Sequence, residues 1–136
     1  MVKPEFRWPL RVYWEDTDAG GIVFYANYLK FFERARTEWL RTLGISQQRL
    51  KRETGSMFVV AQSNVNYLRP ARLDDELIVT ARLAQSGLAS MTIEQQIFLK
   101  NMLLCTGTVR IGWVNANSMQ VRRMPPGIIE KLKVTE

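Results

Sequence analysis

Three consecutive segments in the second half of the chain alternate apolar and polar residues, and this period of two constrains the fold more than any other feature. The turn-type pairs Ser86-Gly87 and Lys100-Asn101 separate the three segments. A further segment, Phe58–Arg69, is rich in valine and tyrosine and precedes them. Strands joined by such short connections are typical of successive hairpins, so the pattern predicts an antiparallel sheet. The positions that share one face of each segment are Leu77, Val79, Ala81 and Leu83, then Met91, Ile93, Gln95, Ile97 and Leu99, then Leu103, Cys105, Val109, Ile111 and Trp113.

The first third of the chain predicts one strand, a polar loop and one long helix. Phe6–Trp14 alternates, and Pro9 cannot donate to a ladder, so this segment is expected at an edge of the sheet. After the loop Glu15–Gly21, apolar residues recur at steps of three and four, which indicates an amphipathic helix. Asn27 is the candidate N-cap and Gly44 the natural end of this helix, with an earlier start in the apolar run Ile22–Ala26 as the alternative. The apolar stripe consists of Tyr28, Phe32, Ala35, Trp39 and Leu43.

The predicted order of elements is therefore a strand, a long helix and four strands, with a short helix over Ser46–Glu53 between them. A sheet with one apolar face needs cover, and the long helix is the element that can supply it. We expect an α+β fold, one long helix on a curved antiparallel sheet of about five strands, forming a single domain over residues 1–136. Unpaired edge strands would remain, and pairing two sheets edge to edge would cover them, so a homodimer is expected.

The absence of histidine decides which chemistry is open to this chain. It excludes Ser-His-Asp and Cys-His mechanisms, a histidine general base and histidine-ligated metals. The single cysteine, Cys105, alternates with apolar neighbours and is expected to be buried and unreactive. Asp16 and Asp18 lie close together, but no third ligand is evident, so no metal site is expected. Catalysis must then use carboxylates, hydroxyls, lysine or the backbone.

The net charge of +6 is concentrated in the last third of the chain. A basic surface favours phosphates, nucleic acid or anionic lipid, although a solvated basic face without any partner fits equally well. No recognition motif for nucleic acid accompanies the charge, so nucleic acid is not expected as a partner. No apolar run approaches the roughly 20 residues that span a bilayer and no targeting signal is evident, so a cytoplasmic location is expected. The cations after residue 98 are Lys100, Arg110, Arg122, Arg123, Lys131 and Lys133.

The polar loop and its flanks carry a distinctive motif. Residues 11–29 read RVYWEDTDAGGIVFYANYL and residues 32–38 read FERARTE, with FRWP at 6–9 and PARLDD at 70–75. Over nearly its whole length the chain resembles the hotdog-fold acyl-CoA thioesterases of the 4-hydroxybenzoyl-CoA thioesterase family. Within that family it is most similar to the branch associated with the Tol–Pal system. The resemblance agrees with the architecture that the periodicity predicts.

The resemblance implies hydrolysis of a coenzyme A thioester to a free acid and a thiol. Asp18 occupies the family's catalytic position, and backbone N–H groups near Tyr25 would polarise the thioester carbonyl. Gly21, Glu33 and Ser90 are the further candidates for contact with the substrate. The family needs no metal or organic cofactor, since coenzyme A is part of the substrate, and it forms dimers that pair into tetramers with the site at an interface. Acyl carrier protein is the alternative thiol carrier, and the wider role would lie in lipid metabolism.

Several alternatives stay open at this point. Asp18 can attack the carbonyl directly or activate water. Asp16 is the competing acid, for which a structural or electrostatic role is expected. Many close relatives carry histidine where this chain has Tyr25, so a side-chain role for histidine cannot apply here and the acyl preference stays open. Where relatives have arginine at the position of Gly87, another residue must replace it if that arginine contacts the coenzyme A phosphates. The rivals to a thioesterase are a hydroxyacyl dehydratase, which typically needs histidine, and a non-catalytic module that binds acyl-CoA or acyl carrier protein.

Overall fold

The computed structural model describes residues 5–133, which form one five-stranded sheet and three α-helices. The elements are β1 (Phe6–Arg11), α1 (Asn27–Thr42), α2 (Gln47–Thr54), β2 (Ser56–Tyr67), β3 (Glu76–Ser86), β4 (Ser90–Leu99), β5 (Met102–Asn115) and α3 (Pro126–Lys133). The strand order is β1-β3-β4-β5-β2, and each neighbouring pair is antiparallel. The α+β architecture with one long helix on an antiparallel sheet is therefore confirmed. Residues 1–4 and 134–136 of the expected domain lie outside the described residues.

The two edges of the sheet are β1 and β2. Pro9 lies in β1 opposite Ile78, which confirms the expected edge position of this strand. Within the described part of the chain, β2 pairs with β5 alone and has a register shift between Val60 and Gln62. The outer edge of this 12-residue strand is therefore open in the protomer. A long open strand edge is the feature that edge-to-edge assembly would cover.

Helix α1 lies on the sheet through the predicted apolar stripe. Tyr28, Phe32, Ala35 and Trp39 are buried, and Leu43 is half-buried just after the helix. Gly107 on β5 allows the close approach, because a Cβ atom at this position would lie 2.8 Å from the Phe32 ring. Phe31 and Leu40 are buried as well, which widens the apolar face beyond the stripe that the sequence indicated.

The start of α1 differs from the prediction. The N-cap is Ala26, whose side chain cannot accept a hydrogen bond, and Asn27 is the first helical residue. The Asn27 side chain instead donates to the buried carboxylate of Asp16. Because Asn27 already lies inside the helix and no backbone N–H of the first turn donates to its side chain, the prediction of Asn27 as the N-cap was wrong.

The first strand is also shorter than predicted. It ends at Arg11 rather than Trp14, because the Asp16 carboxylate accepts a hydrogen bond from the Tyr13 backbone N–H and the chain turns over Trp14–Asp16. The short helix α2 is confirmed, with Ser46 Oγ accepting from the Arg49 N–H at 3.3 Å. Helix α3, which the periodicity did not predict, forms after β5 and buries Ile128 and Leu132.

The sheet has two ends, which are named here by what they carry. The Asp18 end holds the β1–α1 loop, the start of α1, the end of β2 and the β4–β5 hairpin. The opposite end, called the hairpin end after its β3–β4 hairpin, also holds α2, α3 and the C-terminal end of α1. Strand β3 connects the two ends with 11 residues, which corresponds to about 35 Å.

Candidate active site

The Asp18 carboxylate is presented by a tight turn of its own loop. The Asp18 N–H donates to the Ile22 carbonyl at 3.0 Å, and the Gly21 N–H donates to the Asp18 carbonyl at 3.1 Å. Gly21 has φ 79°, a backbone angle that favours glycine. Asp18 Oδ1 accepts from the Gly20 N–H at 2.8 Å, whereas no described residue donates to Oδ2. The carboxylate is exposed, fixed through one oxygen and open through the other.

Asp16 has a different environment and fastens this loop to α1. Its side chain is buried, with Oδ1 accepting from Asn27 Nδ2 at 2.6 Å and Oδ2 accepting from the Tyr13 N–H at 2.9 Å. Its backbone carbonyl accepts from the Phe24 N–H at 3.0 Å. The structural role expected for Asp16 is therefore confirmed, because both carboxylate oxygens are engaged in holding the chain.

Two unpaired backbone donors lie immediately before α1. The N–H groups of Phe24 and Asn27 donate to backbone carbonyls at 3.0 and 2.8 Å. Between them, the N–H groups of Tyr25 and Ala26 have no acceptor among residues 5–133. Unpaired donors at a helix N-terminus, strengthened by the helix dipole, can stabilise a negative oxygen. The segment before α1 thus contains two backbone donors without an acceptor among the described residues, one at Tyr25 and one at Ala26, which no sequence pattern singled out.

An aromatic cluster surrounds these donors. The Tyr25 ring is 64% exposed and lies 6.2 Å from the Tyr67 ring, centroid to centroid. Tyr67 Oη donates to the Tyr25 carbonyl at 3.1 Å, while Tyr28 Oη accepts from the Ala71 N–H at 3.0 Å. Burial raises the pKa of both Tyr28 and Tyr67 above the ordinary tyrosine value. Both phenols therefore keep their protons at neutral pH.

Glu33 lies further along α1, six residues or about 9 Å beyond Asn27. It accepts from Thr37 Oγ1 at 2.9 Å and lines a cavity of about 260 Å³ between α1 and the sheet. Arg36 lines the same cavity and donates to Gln95 Oε1 at 2.9 Å. Burial lowers the pKa of Arg36, and the nearby Glu33 partly offsets this effect. The apolar lining consists of Leu40, Phe58, Val59, Val60, Met91, Ile93 and Ile111.

Ser90 lies at the hairpin end, far from the other predicted site residues. It begins β4, and its carbonyl accepts from the Gly87 N–H at 2.7 Å. The Met124 N–H donates to the Leu88 carbonyl at 2.8 Å, so the segment that carries Arg122 and Arg123 runs beside this hairpin. Because β3 spans about 35 Å between the two ends, one protomer does not bring Ser90 and Asp18 together.

The buried thiol of Cys105 takes no part in this arrangement. Burial raises its pKa to about 12, which keeps it protonated and unreactive at neutral pH, as the sequence predicted. Among residues 5–133, no group of three His, Cys, Asp or Glu side chains could hold a metal ion. Over the same residues, the structure contains no helix with the length and apolar character that a membrane span requires.

The fold and the loop together define the class of protein. A long helix packed on a five-stranded antiparallel sheet is the architecture of the hotdog fold. Residues 20–106 match the model of the thioesterase superfamily. The chain belongs to this superfamily and is a thioester hydrolase, which confirms the class that the resemblance indicated.

Individual relatives agree with this assignment. The chain is 42% identical over 125 residues to the acyl-CoA thioesterase YbgC of Haemophilus influenzae, with 92% of each chain covered. It is 43% identical over 129 residues to the acyl-CoA thioester hydrolase YbgC of Escherichia coli O157:H7, covering 94% of this chain and 96% of that one. Among solved structures, a probable thioesterase from Bartonella henselae has a TM-score of 0.83 and 35% identity, covering 89% of this chain and 99% of that chain. A 1,4-dihydroxy-2-naphthoyl-CoA thioesterase from Synechocystis, at 18% identity and a TM-score of 0.88, covers 94% of this chain and 95% of its own and shares the fold.

Proposed function

We propose that the protein hydrolyses acyl-CoA thioesters with Asp18 as the reacting carboxylate and the Tyr25 and Ala26 N–H groups as donors to the carbonyl oxygen. The observation that carries this proposal is the shared anchoring of the two parts. Asp16 holds the loop that carries Asp18 and also binds both Phe24 and Asn27, the residues on either side of the free donors. The names of the YbgC relatives support acyl-CoA as the substrate.

The chemistry needs a negative oxygen beside Asp18 to be stabilised. In the nucleophilic route, a carboxylate oxygen bonds to the acyl carbon, the C–S bond breaks, coenzyme A leaves as the thiolate, and water then cleaves the anhydride. In the general-base route, Asp18 takes a proton from water as the water oxygen attacks the same carbon, the C–S bond then breaks, and the proton passes to the leaving thiolate of coenzyme A. Both routes place developing charge on the thioester oxygen, where preorganised N–H donors are most effective. The free Oδ2 of Asp18 suits either role.

The acyl group and the coenzyme A portion of the substrate would bind to different parts of the protein. We place the acyl group toward the cavity beside α1, where Glu33 and Arg36 lie among apolar walls. Gly21 leaves room for the substrate at the loop, since no described atom outside residues 20–22 lies within 4 Å of where its Cβ would be. Ser90, Arg122 and Arg123 are the candidates for the pantetheine and phosphates at the hairpin end. The mechanism uses no metal or organic cofactor.

This division of the site requires a second protomer. An antiparallel pairing of two β2 edges would place the hairpin end of one protomer beside the Asp18 end of the other. We therefore propose a homodimer or a homotetramer with an active site shared across an interface. Acyl carrier protein as thiol carrier, a role in lipid metabolism, an association with the Tol–Pal system and a cytoplasmic location are implied by the resemblance and stay predictions.

We expect a panel of acyl-CoA thioesters to include substrates that the purified protein hydrolyses, with release of free thiol as the measurement. The same rates are expected after exhaustive chelation, because the proposed chemistry uses only Asp18 and backbone donors. Binding of acyl-CoA without release of thiol would favour the non-catalytic binding module. Loss of activity on chelation, restored by one divalent ion, would overturn the metal-free mechanism.

Light scattering at micromolar concentration should give two or four times the protomer mass of 15.8 kDa. The double variant Ser63→Lys/Asn64→Lys should shift the protein toward the monomer, because it places like charges along the open β2 edge. Both positions are exposed in the protomer, so the variant should keep its fold. A wild-type protein that remains at 15.8 kDa would contradict the shared active site.

Removing charge beside the β3–β4 hairpin should weaken substrate binding without slowing the reaction. For Arg122→Gln/Arg123→Gln we expect a higher KM and nearly unchanged kcat, the pattern of uniform binding, with an effect that fades as salt is added. The matched control is Lys131→Gln/Lys133→Gln, which removes the same charge from α3. Equal KM values for the wild type and the arginine variant would show that Arg122 and Arg123 do not bind the substrate and are solvated surface residues.

A further inference from the structure

One side chain from the edge strand reaches the donor segment before α1. Tyr67 is the last residue of β2, and its hydroxyl donates to the backbone carbonyl of Tyr25 at 3.1 Å. That carbonyl belongs to the same peptide group as the Ala26 N–H, one of the two free donors. Tyr67 therefore binds the carbonyl oxygen of a peptide group whose N–H remains available to a substrate.

The other contacts of this segment leave the Tyr25–Ala26 peptide as its least constrained part. On one side, the Phe24 N–H is held by the Asp16 carbonyl, and on the other the Asn27 side chain is held by the Asp16 carboxylate. The Tyr25 carbonyl itself otherwise accepts only a long bond of 3.4 Å from the Tyr28 N–H. The Tyr67 hydroxyl is thus the better-placed partner that fixes the plane of this peptide.

A hydrogen bond to the carbonyl also changes the donor on the other side of the peptide. Hydrogen bonds in series polarise one another, so donation to the Tyr25 oxygen makes the Ala26 N–H a stronger donor. We propose that Tyr67 is a positioning residue for the thioester carbonyl, acting through the Tyr25–Ala26 peptide without touching the substrate. This inference rests on the proposed function of the donor segment.

Tyr28 offers a matched hydroxyl with a different task. It lies in the same aromatic cluster, 5.4 Å from the Tyr67 ring by centroids, but its hydroxyl accepts from the buried Ala71 N–H. Removing the Tyr28 hydroxyl leaves that N–H unpaired and should lower stability. Removing the Tyr67 hydroxyl leaves only an exposed carbonyl oxygen, which water can bind.

The test compares Tyr67→Phe with Tyr28→Phe by kcat, KM and Tm on an acyl-CoA that the wild type hydrolyses. For Tyr67→Phe we expect kcat to fall about 3- to 10-fold, the effect of weakening one hydrogen bond, with KM and Tm nearly unchanged. For Tyr28→Phe we expect a lower Tm with kcat unchanged. Both variants keep the ring, so the packing of the cluster is the same.

The outcomes separate this inference from the proposed function. If the wild type turns over and Tyr67→Phe has the same kcat, or loses only in KM, the positioning role is wrong while the proposed function stands. If the wild type hydrolyses no acyl-CoA, the proposed function fails and the role of Tyr67 fails with it. A fall in kcat equal for the two variants would also overturn the inference, because it would reflect the shared cluster rather than the Tyr25 carbonyl.

Discussion

Asp18→Asn should lower kcat by about 10²- to 10⁴-fold, because the amide can neither take a proton from water nor attack the thioester efficiently. The substitution keeps the shape of the side chain. Its remaining oxygen can still accept from the Gly20 N–H, as Asp18 Oδ1 does at 2.8 Å, so the turn should be preserved. The loss should therefore report the missing carboxylate rather than a rearranged loop.

The same variant should change KM much less than kcat. Most of the binding free energy would come from the acyl and pantetheine portions of the substrate, which do not depend on the charge of Asp18. Circular dichroism and Tm provide the control for folding, and both should match the wild type because Asp18 is exposed. A loss that appeared in KM alone would indicate that Asp18 binds substrate instead of reacting with it.

Asp16→Ala should destabilise the protein by about 2–5 kcal/mol, the largest effect on stability expected in this region. The substitution removes the acceptor of both the Tyr13 N–H and the Asn27 side-chain amide, and Asp16 and Asn27 are buried. The buried Asn27 amide left without an acceptor costs about 1–3 kcal/mol, and the loss of the part-buried Tyr13 hydrogen bond to a charged carboxylate adds about 1–2 kcal/mol. Urea denaturation that yields the free energy of unfolding is the measurement.

Asp18→Ala is the matched control, since it removes a carboxylate two residues away that is exposed and makes a single hydrogen bond to Gly20. We expect it to change the free energy of unfolding by less than about 1 kcal/mol. Asp16→Asn should lie between the two, because one oxygen remains to accept. If Asp16→Ala and Asp18→Ala had equal stability, Asp16 would not anchor the loop.

The sequence predicted the elements of the fold better than their arrangement. Alternation from Leu77 to Trp113 and the stripe from Tyr28 to Trp39 reflect local burial, which leaves a direct trace in residue type. The order of strands leaves no such trace, because β1 joins β3 and β2 joins β5 across long separations in the chain. Strand β1 ends early because Asp16 binds the Tyr13 N–H, and the Asn27 side chain is held by the same carboxylate. Neither contact of Asp16 leaves a periodic pattern in the sequence.

The candidate site likewise contains residues that the sequence predicted and residues that only the structure reveals. Asp18 and the donors near Tyr25 follow from a resemblance carried by contiguous residues, and the structure places both on one anchored segment. Tyr67 was missed because its contact with Tyr25 spans 42 residues and gives no local pattern. Ser90 was a reasonable candidate in the sequence, but only the direction of β3 shows that it lies at the opposite end of the protomer.

The most direct test of the account is the ratio of kcat for the wild type to kcat for Asp18→Asn, measured as release of coenzyme A at saturating acyl-CoA and equal concentrations of folded protein. We expect a ratio of about 10² or more. A ratio near one, with the circular dichroism of the variant unchanged, would contradict Asp18 as the reacting carboxylate.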